Sequence, residues 1–98
     1  MAWKLKSLTK SDRKGKKYKA VFVSVSGSTR TTHFGAVGYE DFTMHKDEWR
    51  KAKYLKRHGR GREDWNDPTS AGALSRWLLW NKTTLKASLV DFKRRFGV

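Results

Sequence analysis

Tyr18-Lys-Ala-Val-Phe-Val-Ser-Val-Ser-Gly-Ser-Thr-Arg-Thr-Thr-His-Phe-Gly35 is the stretch whose reading decides the fold. In an extended chain successive side chains point to opposite faces, so Tyr18, Ala20, Phe22 and Ser24 share one face and Val21, Val23 and Val25 the other. Ser26-Gly27-Ser28-Thr29 is a turn signal, and the β-formers of Arg30–Gly35 supply a returning strand. Residues 18–36 therefore read as a β-hairpin. Gly35 and Gly38 break the second strand and let the backbone turn sharply.

Downstream the period changes from two to about 3.6. Thr43 or His45 opens a first helix with Asp47 and Glu48 in its first turn, suiting the helix dipole, and Gly59 and Gly61 stop it after about His58. Trp49, Ala52 and Leu55 or Lys56 fall roughly on one side of it. Asp67-Pro68, a capping acid before proline, signals a second helix carrying Ala71, Leu74, Trp77 and Leu78, ending near Trp80-Asn81. Thr83 or Thr84 caps a third, in which Leu85, Leu89, Phe92 and Phe96 recur at helical spacing and Gly97 stands at the C-cap. The short Asn81–Thr84 link places the last two helices antiparallel, with Leu74, Trp77 and Leu78 facing Leu85, Leu89 and Phe92. The expected class is α+β, an N-terminal hairpin followed by three short helices.

Upstream, residues 1–16 are strongly basic and read as a flexible arm, with Lys10-Ser-Asp-Arg-Lys-Gly-Lys-Lys17 lacking any apolar residue. Residues 17–98 then form a single small α+β domain. The 98 residues carry 23 Lys and Arg against nine Asp and Glu, a net charge of +14. Solubility alone asks for a net charge of about 2–8, so the excess points to a polyanionic partner. Five Trp, five Phe and three Tyr are enough for a packed core and argue against disorder. There is no cysteine, which excludes disulfides, thiolate metal sites and cysteine catalysis. No apolar run reaches the roughly 18 residues of a membrane span, and the N-terminus lacks a signal peptide, so an intracellular or packaged protein, not a secreted one, is expected.

Two basic clusters are candidate phosphate contacts: Lys10, Arg13, Lys14, Lys16 and Lys17 on the arm, and Arg50, Lys53, Lys56, Arg57, Arg60 and Arg62 on the first helix and its exit. At about 100° per residue Arg50, Lys53 and Arg57 share a helix face. Lys93-Arg94-Arg95 suits the negative end of the last helix. Trp65 either stacks on a base or packs as a lid, and Trp3 either anchors the arm or meets a partner. His33, His45 and His58 lack metal-ligand spacing, and no phosphate loop or hydrolase motif is present, so no catalytic residue, metal or cofactor is assigned.

The ordered pieces His33-Phe-Gly-Ala-Val-Gly-Tyr-Glu-Asp-Phe-Thr-Met-His45, Lys53-Tyr-Leu-Lys-Arg-His58, Glu63-Asp-Trp-Asn-Asp-Pro68 and Ala71-Gly-Ala-Leu-Ser-Arg-Trp-Leu-Leu-Trp80 give the chain a relationship. Over roughly residues 17–96 it resembles small basic proteins encoded by large nucleocytoplasmic DNA viruses of algae and amoebae. That resemblance implies a viral origin and presence in the virion or the infected cell's nucleus or cytoplasm; it transfers no activity and no catalytic residue. The residues themselves favour a non-enzymatic protein that binds or compacts viral double-stranded DNA without sequence preference. A second reading is a small structural protein of a capsid or inner shell, touching other virion proteins. A third is a metal-dependent nuclease built on Asp41, His45, Asp47 and Glu48.

Overall fold

The computed structural model describes residues 3–59 and 64–98. The chain is α+β: strands β1 (Trp3–Lys10), β2 (Lys16–Ser24) and β3 (Thr29–Ala36) form an antiparallel sheet in the order β1-β2-β3, and helices follow. The expected hairpin is β2–β3, with Tyr18 opposite Phe34 and Ala20 opposite Thr32. Gly27, at φ +90°, makes its turn, closed by the Ser24 N–H donating to the Ser28 carbonyl at 2.9 Å.

The basic arm is corrected over half of its length, because Trp3–Lys10 is the edge strand β1. Trp3 and Leu5 alternate, but Leu8 falls at the wrong parity, which hides the strand in the sequence. A bulge between Leu5 and Ser7 absorbs the mismatch: Leu5 faces Phe22 and, after the extra residue Lys6, Ser7 faces Val21 and Leu8 faces Ala20. Trp3, Leu5 and Leu8 therefore all pack against the core.

The first expected helix is two. Asp41 caps α1 (Phe42–His45), and Asp47 caps α2 (Glu48–His58), accepting from the Trp49 and Arg50 N–H groups. Between them Lys46 takes the left-handed conformation at φ 56°. The Asp47 N–H donates to His45 Nδ1 at 2.9 Å, fixing the break. The second expected helix starts later than Asp67-Pro68 suggested. Asp67 closes a turn by accepting from the Thr69 N–H and hydroxyl, and Ser70 is the true N-cap of α3 (Ala71–Leu74). The chain then widens into a π-helical turn, Ser75–Leu79, sealed by the Trp80 N–H donating to Ser75 O at 3.1 Å. That wider turn swings Leu79 toward the side of Leu74 and Leu78, and all three are buried. The last helix, α4 (Leu85–Phe96), is as expected: Thr84 caps it and Gly97 ends it in the left-handed conformation.

The helices cover one face of the sheet. Ala20, Phe22 and Phe34 from the strands meet Leu74, Leu78, Leu79 and Phe92 in one core. The expected seam is shifted, since Trp77 is only half-buried whereas Leu74, Leu78 and Phe92 are fully buried. Gly35, at φ +80°, leaves room for this packing; a Cβ there would stand 2.9 Å from Leu79 Cδ1. Among the described residues no helix is long and apolar enough to cross a membrane.

Two outcomes follow. Phe92→Ala is expected to cost about 3–5 kcal/mol in denaturant unfolding, as for other large core truncations. Deleting residues 1–10 removes β1 and bares β2 and the Trp3, Leu5 and Leu8 contacts, so the cooperative thermal transition is expected to disappear; an unshifted melt would show that β1 is dispensable.

Candidate nucleic-acid interface

Helix α2 is oriented by aromatic stacking. Tyr54, buried, lies flat on the Trp80 ring with centroids 4.2 Å apart and planes 3° apart, and His58 stacks on its other side at 4.3 Å. Lys51 also turns inward: its ammonium donates to the Asn81 carbonyl at 2.7 Å and sits 4.7 Å from the Phe42 ring centroid. Burial pushes that ammonium below the usual lysine range, the opposite of what a phosphate contact does. The inner face is thus Lys51, Tyr54, Leu55 and His58. Trp49 and Ala52 are exposed, because Tyr54 takes the docking position.

The outer face of α2 carries Arg50, Lys53, Lys56 and Arg57, all exposed. At 1.5 Å rise per residue they span about 10 Å along the axis. Arg50 pairs with Glu40 at 3.0 Å. Lys53, Lys56 and Arg57 have no carboxylate partner among the described residues. Arg60 and Arg62, assigned to the same cluster, lie outside the described residues.

The other cluster surrounds the β1–β2 turn. Lys10, Arg13, Lys14 and Lys16 are exposed there, again without a carboxylate partner among the described residues. Lys17 departs from its expected role: its ammonium is drawn to the buried Asp41 carboxylate at 2.7 Å, so it holds α1 against the sheet. This turn and the start of α2 flank the same segment. The Val37 N–H donates to Gly15 O at 3.0 Å, Lys17 reaches Asp41, and Glu40 reaches Arg50. The segment from Val37 to Arg50 thus links the two clusters, which the sequence separates by some thirty residues.

The acids do little to neutralise these surfaces. Asp41 and Asp47 cap helices, and Asp91 accepts from Asn81 at 2.7 Å and from Arg95 at 3.5 Å. The Asp67 carboxyl is held below its usual range by the Thr69 hydroxyl, Asp91 by Asn81, and Asp12 by a backbone hydrogen bond and then Lys19. Among the described residues no three His, Cys, Asp or Glu side chains gather where they could hold a metal ion; Asp41 and Asp47, central to the nuclease reading, are engaged in capping.

Trp65 is a lid. Its ring packs where a Cβ on Gly59 would stand 2.9 Å away, and its carbonyl accepts from Trp77 Nε1 at 2.9 Å. Trp3 packs on the core. Arg95 lies over the Trp77 ring at 3.9 Å, and Arg76 at 4.1 Å, so these two cations serve packing. Exposed side chains the sequence reading passed over are Val37, Tyr39, Met44 and Lys46, which line the link from β3 to α2. Solvent exposure of an aromatic ring leaves no signature in spacing alone.

A family profile described as "Family of unknown function (DUF5754)" matches residues 6–58, from the β1 bulge to the end of α2. No curated protein and no solved structure matches the chain.

Replacing Lys17 with Met strands the Asp41 carboxylate. Fully buried pairs cost roughly 3–5 kcal/mol to break, and the partial exposure of Lys17 brings the expectation to about 2–3 kcal/mol. Urea unfolding checks it, and the stability loss should exceed that of Lys16→Met, whose side chain is exposed.

Proposed function

The chain belongs to this family, whose function is unknown, and we propose that it is a non-enzymatic nucleic-acid-binding protein that engages viral double-stranded DNA through phosphate contacts, without sequence preference. One observation carries the reading: Lys10, Arg13, Lys14 and Lys16 at the β1–β2 turn, and Lys53, Lys56 and Arg57 on α2, flank one segment and lack carboxylate partners among the described residues. Such cations displace condensed counterions from a phosphate backbone, and counterion release supplies most sequence-independent affinity. The α2 cations are held on a rigid, capped helix, and the turn cations on a loop closed by the Lys16 N–H donating to Arg13 O. Together they form a charged surface that can follow a backbone and, by binding along it, compact it.

The salt dependence of duplex binding tests this. Log affinity should fall linearly with log salt with a slope of about −0.9 per phosphate, for on the order of 4–8 contacts. Lys53→Ala and Arg57→Ala should each make the slope shallower by about 0.9 without moving the melting temperature, since both side chains are exposed. A flat salt response, or no binding at about 50 mM salt where phosphate contacts are strong, rejects the reading and favours a structural protein that contacts other virion proteins.

A further inference from the structure

Among the described residues the large exposed apolar side chains are Val25, Val37, Tyr39, Met44, Trp49 and Val90, and four of them fall between residues 37 and 49. This concentration lies between the two basic clusters. Trp49 is 70% exposed and Tyr39 74% exposed. Each is the chain neighbour of one member of the Glu40–Arg50 ion pair, which ties the β3–α1 link to the first turn of α2. The Lys53 ammonium lies over the Trp49 ring, 5.3 Å from its centroid. Lys46, Arg50 and Lys56, in the same stretch and on the same helix, are exposed as well. Of the acids in this stretch, Glu40 is paired with Arg50, Asp41 is buried against Lys17 and caps α1, Asp47 caps α2, and Glu48 remains at the helix start, where it suits the dipole.

Exposed aromatic planes set among cations match one ligand chemistry closely: an unpaired strand, whose bases stack on the rings while its phosphates meet the ammonium and guanidinium groups. In duplex DNA the base faces are covered by their neighbours, so these rings gain nothing from it. A protein surface would find the apolar rings suitable but would have to neutralise the surrounding positive charge. We infer that Trp49, with Tyr39 on the link that the Glu40–Arg50 pair ties to α2, is a stacking platform for unpaired bases, so that the surface takes single-stranded nucleic acid or the single-stranded part of a junction in addition to duplex. This rests on the phosphate-binding reading and adds the feature of the ligand that the rings recognise.

The test is fluorescence anisotropy with a labelled oligothymidylate of roughly ten nucleotides, within the usual site size of about 4–16, and with a duplex of equal length. Trp49→Ala should weaken oligothymidylate binding roughly 5- to 150-fold, the range expected for one stacked base, and leave duplex binding and the melting temperature unchanged. Tyr39→Ala should act in the same direction, Trp49→Phe should retain most of the affinity, and Val90→Ala, on α4, should change nothing. Equal loss on both ligands, or no loss on either, overturns the stacking platform. So does a Trp49→Ala protein that changes sedimentation from dimer to monomer while binding oligothymidylate like the parent, which assigns the rings to a second copy of the chain. If the parent binds neither ligand, the phosphate reading falls as well; if it binds duplex with a salt-dependent affinity while Trp49→Ala is silent on the strand, only the stacking inference falls.

Discussion

The parallel stack of Tyr54 on Trp80 governs how the charged half of this protein is presented. Among the described residues helix α2 is also held by the Lys51 bond to Asn81, the Lys51 contact with the Phe42 ring, the Glu40–Arg50 pair, and α1 beside it. Ring pairs of this kind contribute about 0.5–1.5 kcal/mol beyond the area they bury. More important than the energy is the rotation it selects. With Tyr54 inward, Lys51 and His58 follow it, and Trp49, Arg50, Lys53, Lys56 and Arg57 are left facing out. The inward Lys51 is tolerated because a carbonyl and the Phe42 face receive its ammonium. Trp80 reaches this position because it follows directly on the π-helical turn, which also turns Leu79 into the core. One local widening of the helix thus serves both the core and the docking of α2.

Charge is distributed by role. The nine acids are too few to balance 23 cations, and those described sit mainly at helix starts, turns and internal pairs. Their negative charge stabilises local backbone and leaves the outer cations unneutralised. The same arrangement imposes self-repulsion on the folded state, felt over a Debye length of about 8–10 Å at ordinary ionic strength. Three cations escape it by turning inward: Lys17 to Asp41, Lys51 to Asn81, and Arg76 to the Trp80 carbonyl between aromatic rings. A polyanion bound across the outer cations would relieve the repulsion among the rest, so on the proposed reading binding and folding stability reinforce each other.

The parts of the fold set by local chemistry were legible in the chain. The β2–β3 hairpin follows from period-two alternation around Gly27, and α4 from Thr84, the Leu85–Phe96 spacing and Gly97. What was hidden needed a partner to become visible. Lys6 breaks the alternation of β1, and only pairing with β2 shows the break to be a bulge. Lys46 interrupts an otherwise continuous helical pattern because Asp47 caps more favourably than it continues, and Lys46 adopts a left-handed backbone to allow it. Asp67-Pro68 resembles a helix start, yet the Thr69 hydroxyl captures Asp67 and leaves the cap to Ser70.

The candidate surface divides along the same line. Its cations could be named from composition, because a lysine or arginine without a carboxylate nearby in sequence is usually at the surface. Lys17 was misplaced because Asp41, its partner, lies 24 residues away and is brought close only by the docking of α1. The aromatic part could not be named at all. Trp49 sits at a helical spacing that suits a core position equally well, and the choice between Trp49 and Tyr54 as the docking ring depends on where Trp80 arrives in space. A ring of this size left outside a helix whose neighbour has taken the inner position forgoes burial worth roughly 2–3 kcal/mol. The Lys53 ammonium over the ring recovers part of that loss, and on the proposed reading an unpaired base stacked on it would recover more. The exposed cations of the same helix would then meet the negative charge of the strand that carries the base.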